Sequence, residues 1–307
     1  MIPSPILRRP RLPKTTLLSL ASELTPLLSS SILFFLLVGL LPTSEYGLFI
    51  TITASAMIVT PIARAGAGIV LLRDLGAERA DESSWNDALN TTIASTMGTV
   101  VIWAVVGSSI VPGLPLLASI LIFWQQLVPM AVSDLVTAYL FGKNDIANSL
   151  IARVTFALWR VAGLVLFWLL DTSSLTVLGL VLLGTGLVGA FQNVMRLRPR
   201  FDLVTKIKCP RWSTIVRGLP DSVSAATGSV LDSVDKPLLT RSGFVEDTAR
   251  YGVAMRLVSL AGIPTLALLR PYDQEMFRAG AASVRRTAQV MIRAAKRTFP
   301  VSLLTAG

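Results

Sequence analysis

Eight apolar runs, each about as long as a bilayer is thick and each closed by a short polar break, dominate this sequence. An α-helix rises 1.5 Å per residue, so crossing a hydrocarbon core takes about 20 predominantly apolar residues. Runs over 15–41, 46–72, 88–112, 115–141, 149–170, 174–194, 217–240 and 250–270 meet that length. A further stretch, Pro300-Val301-Ser302-Leu303-Leu304, has the character of a ninth helix beginning. The breaks carry turn chemistry: Pro42-Thr43-Ser44, Pro112-Gly113, Gly142-Lys143-Asn144-Asp145 and Asp171-Thr172-Ser173-Ser174. The expected fold is all-α, a polytopic transmembrane helical bundle of about eight spans plus the start of a ninth. Composition agrees, since 15% of the residues are charged where a soluble domain carries roughly 25%.

The distribution of cations sets an expected orientation. Of 28 Lys and Arg, 21 fall before the first run or in every second break, two fall in the alternate breaks, and five lie within runs. Cytoplasmic segments retain Lys and Arg, so the N-terminus is expected inside, in a multi-pass protein of the plasma membrane. In a soluble protein the net charge of +10 would point to nucleic acid; here the cations sit between apolar runs, and the bilayer rather than nucleic acid is the expected partner. Arg8, Arg9, Arg11 and Lys14 resemble the start of a signal peptide. The apolar run behind them is too long and lacks a small-residue cleavage site, so it reads as an uncleaved first span.

An internal repeat organises the chain. Glu45-Tyr46-Gly47-Leu48 opens the second run, which carries Pro61; Arg250-Tyr251-Gly252-Val253 opens the eighth, which carries Pro264. The offset of 205 residues between Tyr46 and Tyr251 spans six helices, an even number, which predicts two parallel six-helix lobes about an axis along the membrane normal. The first lobe covers 1–200 and the second begins in 201–307. A full second lobe would reach roughly residue 400, so the chain is expected to be truncated; the alternative is a complete eight-helix protein.

Ionisable groups inside a bilayer are costly, about 2.5–3.5 kcal/mol each on insertion scales, and each needs a reason. The first half holds Glu23, Arg64, Asp134, Arg153 and Arg160 within its runs. Arg153 lies near a helix end and can snorkel. Arg64 and Arg160 lie too deep for that, so they face either a cavity or a carboxylate, for which Asp134 and Glu23 are the candidates. Both a structural ion-pair network and a site for an anionic group satisfy this pattern. The seventh run is the most polar: Asp221, Ala225, Gly228, Asp232 and Asp235 fall on one stripe, and Lys236 follows Asp232 in the favourable order for a pair. The first run, its counterpart, is polar too, which suggests a central cavity between the halves.

Signs of catalysis and cofactors are lacking. The sequence has no Walker loop, no metal-ligand cluster and no histidine, and the lone Cys209 can form no internal disulfide. Gly66-Ala67-Gly68 reads as close helix packing. No cofactor or metal is expected, and the coupling ion, if any, stays open.

Several segments together resemble one family. Leu41-Pro42-Thr43-Ser44-Glu45-Tyr46-Gly47-Leu48, Ala65-Gly66-Ala67-Gly68, Leu71-Leu72-Arg73-Asp74, Asp235-Lys236-Pro237-Leu238-Leu239 and Tyr251-Gly252-Val253 occur in the order seen in polysaccharide exporters. The chain is thus similar to the oligosaccharide flippases of the multidrug/oligosaccharidyl-lipid/polysaccharide (MOP) superfamily. The resemblance implies two lobes around a central cavity and export of a polyprenyl-pyrophosphate-linked oligosaccharide. It implies cations that meet the pyrophosphate, for which Arg64 and Arg160 supply the matching chemistry, with Asp134, Glu23, Asp221, Asp232, Asp235 and Lys236 around the route. Three other readings remain beside it: a multidrug exporter of the same superfamily, a glycan polymerase or transferase, and an inactive truncated protein. Short outer loops weigh against the enzyme.

Overall fold

The computed structural model describes residues 14–76, 82–111, 113–201, 209–261 and 292. Among these the chain is helical throughout: α1 (Lys14–Leu40), α2 (Thr43–Ala63), α3 (Ala67–Gly76), α4 (Glu82–Ile110), α5 (Leu116–Gly142), α6 (Ile146–Leu169), α7 (Leu175–Phe201), α8 (Trp212–Ser233), α9 (Asp235–Arg241) and α10 (Val245–Ala261). Among the described residues five helices are long and apolar enough to cross a membrane, namely Thr43–Ala63, Ser83–Gly107, Leu116–Gly142, Ile146–Leu169 and Leu175–Arg198. Leu24–Leu40 is a shorter apolar helix. The seventh expected span forms a helix, α8, but its polar stripe leaves it below the hydropathy of a simple lipid-facing span. The eighth is described to Ala261, and the expected ninth lies outside the described residues.

Two expected spans are each divided. The second, taken as one helix over 46–72, breaks between α2 and α3, where Ala65 and Gly66 adopt φ of 49° and 62°. Two successive left-handed residues end an α-helix, and Gly66 is needed there for a second reason given below. The seventh breaks at Val234, between α8 and α9. Pro237 has no N–H to give the carbonyl of Ser233, so one rung of the ladder is missing at that point.

α2 sits at the centre of the arrangement. It packs on α5 and α4 of the first half and on α8, α9 and α10 of the second. α5 is the other hub, against α7, α4, α6 and α3. Helices in lipid gain little from the hydrophobic effect when they associate, so close packing by small residues carries the contact. α7 meets α5 through Gly179 and Gly186, seven residues apart and so on one face. A Cβ at Gly179 would fall 2.8 Å from Leu121 Cβ, and one at Gly186 would fall 3.3 Å from Pro129 Cβ.

Two apolar cores stack along the bundle. One gathers Leu37, Phe49, Trp103, Phe123 and Phe167 near the α1–α2, α4–α5 and α6–α7 turns, with Trp103 and Phe123 stacked at 4.4 Å. The other gathers Leu71, Trp85, Leu135, Tyr139 and Leu197 at the opposite end. Buried polar side chains lie on α4 and α5, among them Thr92, Thr96, Gln125 and Ser133. Several hydroxyls donate to the carbonyl one turn back, as Thr96 does to Thr92 at 2.6 Å, which satisfies the hydroxyl without an external partner.

Candidate functional site

The site is a seam between the α1–α7 half and the α8–α10 half, with polar contacts at three depths. At one end of the seam the backbones of the α2–α3 break and α8 approach closely. A Cβ on Gly66 would come within 2.6 Å of Gly218 Cα, and one on Gly218 within 2.9 Å of Gly66 Cα. No side chain fits at either position. Two ion pairs flank that contact and cross each other. Arg73 Nη2 of α3 lies 2.9 Å from Asp221 Oδ1 of α8. Arg217 of α8 returns to Asp74 of α3, Nη2 to Oδ1 at 2.5 Å and Nη1 to Oδ2 at 3.2 Å. A third pair joins Arg211 Nη1 to Asp87 Oδ2 at 2.9 Å, tying the start of α8 to α4.

At the next depth Arg64 Nη2 pairs with Asp134 Oδ2 at 2.8 Å. The sequence places Arg64 in mid-helix; the break makes it the C-cap of α2 instead. That location favours a cation, because the last carbonyls of a helix carry partial negative charge. Ser95 of α4 donates to one of those carbonyls, Ala63 O, at 2.5 Å. The burial of the pair is partial, with 28% of Arg64 and 41% of Asp134 exposed.

Arg160 lies on α6 nine residues before Leu169, or about 14 Å along the axis, and is 5% exposed. Its Nε is buried with no hydrogen-bond partner. The charges that act on it are those of Arg256 on α10 and Asp134 on α5. Arg256 in turn lies with its guanidinium 4.2 Å from the centroid of the Phe34 ring on α1, with Tyr46 of α2 also close. Asp134 therefore faces two cations, Arg64 in contact and Arg160 through space, and a third cation, Arg256, acts on Arg160 from α10.

The third level joins α9 to α2 and α10. Thr51, Thr240 and Thr248 form a buried hydroxyl chain, with oxygen separations of 2.5 and 3.0 Å. Gly47 abuts the backbone of Val245, and Gly252 abuts Ile50. Asp235 accepts from the hydroxyl of Tyr251, from the backbone N–H of Lys236 at 2.9 Å and from Lys236 Nζ at 3.1 Å.

The structure thus separates the residues that the sequence grouped. Asp221 belongs to the crossed ion pairs, while Asp232 is exposed. Lys236 pairs with Asp235 rather than with Asp232, whose backbone carbonyl, not its carboxylate, takes the ammonium at 3.0 Å. Glu23 lies on α1, and its side chain is outside the described residues. Arg256 is the residue that sequence reading missed; as a cation inside the eighth run it carried the same signal as Arg64 and Arg160. Arg73 and Arg217 were read as cations of the flanking breaks, and only the packing of α3 on α8 reveals their carboxylate partners.

No protein-family profile and no curated protein sequence matches the chain. Solved structures do match its fold. A multidrug resistance MATE family transporter of the MOP superfamily in an inward-facing conformation superposes with a TM-score of 0.66 at 15% identity, over 94% of this chain and 68% of its own. An outward-facing MATE family transporter of that superfamily gives 0.65 at 17% identity, over 95% and 70%. The chain is therefore a multi-pass helical membrane protein with the fold of the MOP superfamily transporters. A MOP superfamily transporter from Pyrococcus furiosus, whose binding pocket is described as reversed in polarity, gives 0.67 at 18% identity, over 95% and 69%.

Proposed function

We propose that the chain carries a polyprenyl-pyrophosphate-linked oligosaccharide across the plasma membrane, from the cytoplasmic to the outer face. The observation that carries this reading is Arg160: a mid-membrane cation enclosed with an unpartnered Nε, next to a second cation and to a carboxylate already engaged by Arg64. A buried excess of positive charge calls for an anion. Pyrophosphate offers several acceptor oxygens, which planar guanidinium groups grip in bidentate fashion. Arg160 and Arg64 receive the pyrophosphate in this scheme, and Arg256 brings the α8–α10 half to the same anion. Asp134 tunes the cluster, while Glu23, Asp221, Asp232, Asp235 and Lys236 stand along the route.

A second reading, export of cationic drugs, is favoured by the multidrug transporters among the fold's neighbours and by the partly exposed Asp134 carboxylate. The two readings separate in a binding measurement on the purified full chain in nanodiscs. Polyprenyl-pyrophosphate is expected to bind, and Arg160→Gln and Arg256→Gln are each expected to weaken it by about tenfold or more, the usual scale for a charge-assisted contact. Arg160→Lys is expected to be intermediate. Binding of a cationic dye that is lost in Asp134→Asn, with no binding of pyrophosphate lipid, would overturn the flippase reading in favour of the drug exporter.

A further inference from the structure

Outside the seam, a cavity of about 330 Å³ lies between α5, α6 and α7. That volume is at the lower end of the range for small-ligand sites. Val136, Ile151 and Leu197 give it apolar walls; Asn148, Asn193 and Arg196 give it polar ones. It lies toward the end of the bundle where the sequence concentrates its cations, because Asn148 stands in the first turn of α6 and Arg196 in the closing turns of α7. Ile151, half exposed at the rim, and the exposed Val154, Phe191 and Met195 put apolar surface of α6 and α7 around it.

The polar groups of this cavity are specific in what they lack. Asn193 is 1% exposed and donates through Nδ2 to Ser133 Oγ and to Ala152 O, both at 3.0 Å. Its remaining group, Oδ1, is buried with no partner. A buried acceptor without a protein donor calls for one from a ligand. Arg196 spends one N–H on Thr155 Oγ1 at 2.8 Å, and a guanidinium has five to give. The occupant must therefore combine an anionic acceptor, a hydrogen-bond donor and an apolar portion. On the turns of α5, α6 and α7 that adjoin the cavity, Lys143, Arg153 and Arg196 outnumber Asp145, which favours a net negative ligand over a zwitterionic one.

We propose that this cavity is a binding site for the head group of phosphatidylglycerol. The phosphate meets Arg196, a glycerol hydroxyl donates toward Asn193 Oδ1, and the acyl chains run along the outer faces of α6 and α7. The site is separate from the seam and does not depend on which substrate the seam handles.

The test is lipid retention by the purified full chain, followed by native mass spectrometry after exchange into vesicles of defined composition. One phosphatidylglycerol is expected to remain bound in preference to phosphatidylcholine and phosphatidylethanolamine. Phosphatidylmethanol, which keeps the charge and lacks the head-group hydroxyl, is expected to be retained about tenfold less, the loss set by one hydrogen bond to a buried acceptor. Arg196→Gln is expected to reduce retention by a similar factor. Arg198→Gln, two residues on and so 200° round the helix, is expected to leave it unchanged. Equal retention of phosphatidylethanolamine or phosphatidylmethanol overturns the proposal, as does equal loss in the Arg198 variant. Displacement of the lipid by free glycerol phosphate at equal concentration overturns it as well, since the site would then read the phosphate alone.

Discussion

Arg217 and Asp74 meet across the two halves of the bundle through two guanidinium nitrogens, at 2.5 and 3.2 Å, while the neighbouring Arg73 crosses in the opposite direction to Asp221. Each α3–α8 pair joins a cation of one helix to an acid of the other, and their α8 members, Arg217 and Asp221, fall on either side of Gly218. Both lie at the end of the bundle where the sequence concentrates its cations.

The crossed pairs are expected to hold that end shut. Arg217 is 54% exposed, so losing the pair costs little stability, about 0.5–1 kcal/mol. Accessibility is the sensitive readout. Ser222, one turn beyond Gly218 and 2% exposed, replaced by Cys, is expected to react several-fold faster with a hydrophilic maleimide when Asp74→Arg is added. Arg217→Asp on the same background, which reverses the pair, is expected to restore protection. Unchanged reactivity in Asp74→Arg would show that these pairs do not close the seam.

The glycine contact is expected to tolerate no side chain. Gly66→Val places a β-branched residue at φ 62°, which costs about 1–2 kcal/mol before any clash, and its Cβ meets Gly218 backbone as well. A Gly218→Val change meets the Ala65 carbonyl. Both variants are expected to lower the thermal unfolding midpoint in detergent by several degrees. Gly68→Ala, at the second residue of α3 and facing open space, is the contrast: it is expected to be neutral or to stabilise by up to about 1 kcal/mol. Equal losses in all three would count against a specific contact.

Arg64 and Asp134 form a partnership distinct from that of Arg160. In a double-mutant cycle on unfolding free energy, Arg64→Gln with Asp134→Asn is expected to show a coupling of about 0.5–3 kcal/mol. Arg160→Gln with Asp134→Asn is expected to show less than half of that, because Asp134 touches Arg64 at 2.8 Å and acts on Arg160 only through space. Were removal of Asp134 to rescue Arg160→Gln, Arg160 would be a structural ion-pair member and the anion-binding role would fail.

Orientation is tested by cysteine labelling in intact cells. With the N-terminus in the cytoplasm, an impermeant maleimide is expected to modify Cys replacing Thr172 or Gly243 and to spare Cys209, which is exposed on the protein surface and so is reactive wherever reagent reaches it. Modification of Cys209 from outside would reverse the topology.

Element positions were legible from the sequence because hydropathy is local: a run of about 20 apolar residues has few fates other than a buried or membrane-crossing helix. Hence α1, α4, α5, α6 and α7 begin and end within a few residues of the expected runs, except where polar residues prolong α4 and α7 beyond the apolar core. The break at Arg64–Gly66 was not legible. Nothing in the local sequence distinguishes Gly66 from Gly68; what distinguishes them is that Gly218, some 150 residues on, arrives against Gly66 and leaves Gly68 free.

Charge followed the same division. The sequence by itself determined that Arg64, Arg160 and Asp134 fall within apolar runs and need partners, since an intramembrane charge is costly wherever the run places it. Tertiary structure decided who those partners are: Asp134 for Arg64, Asp221 for Arg73, Asp74 for Arg217, and for Arg160 a second cation, Arg256, brought in from α10. Pairing depends on distances of a few ångströms between helices far apart in the chain, and a Coulomb interaction at that range is set by packing, of which the linear pattern holds no record.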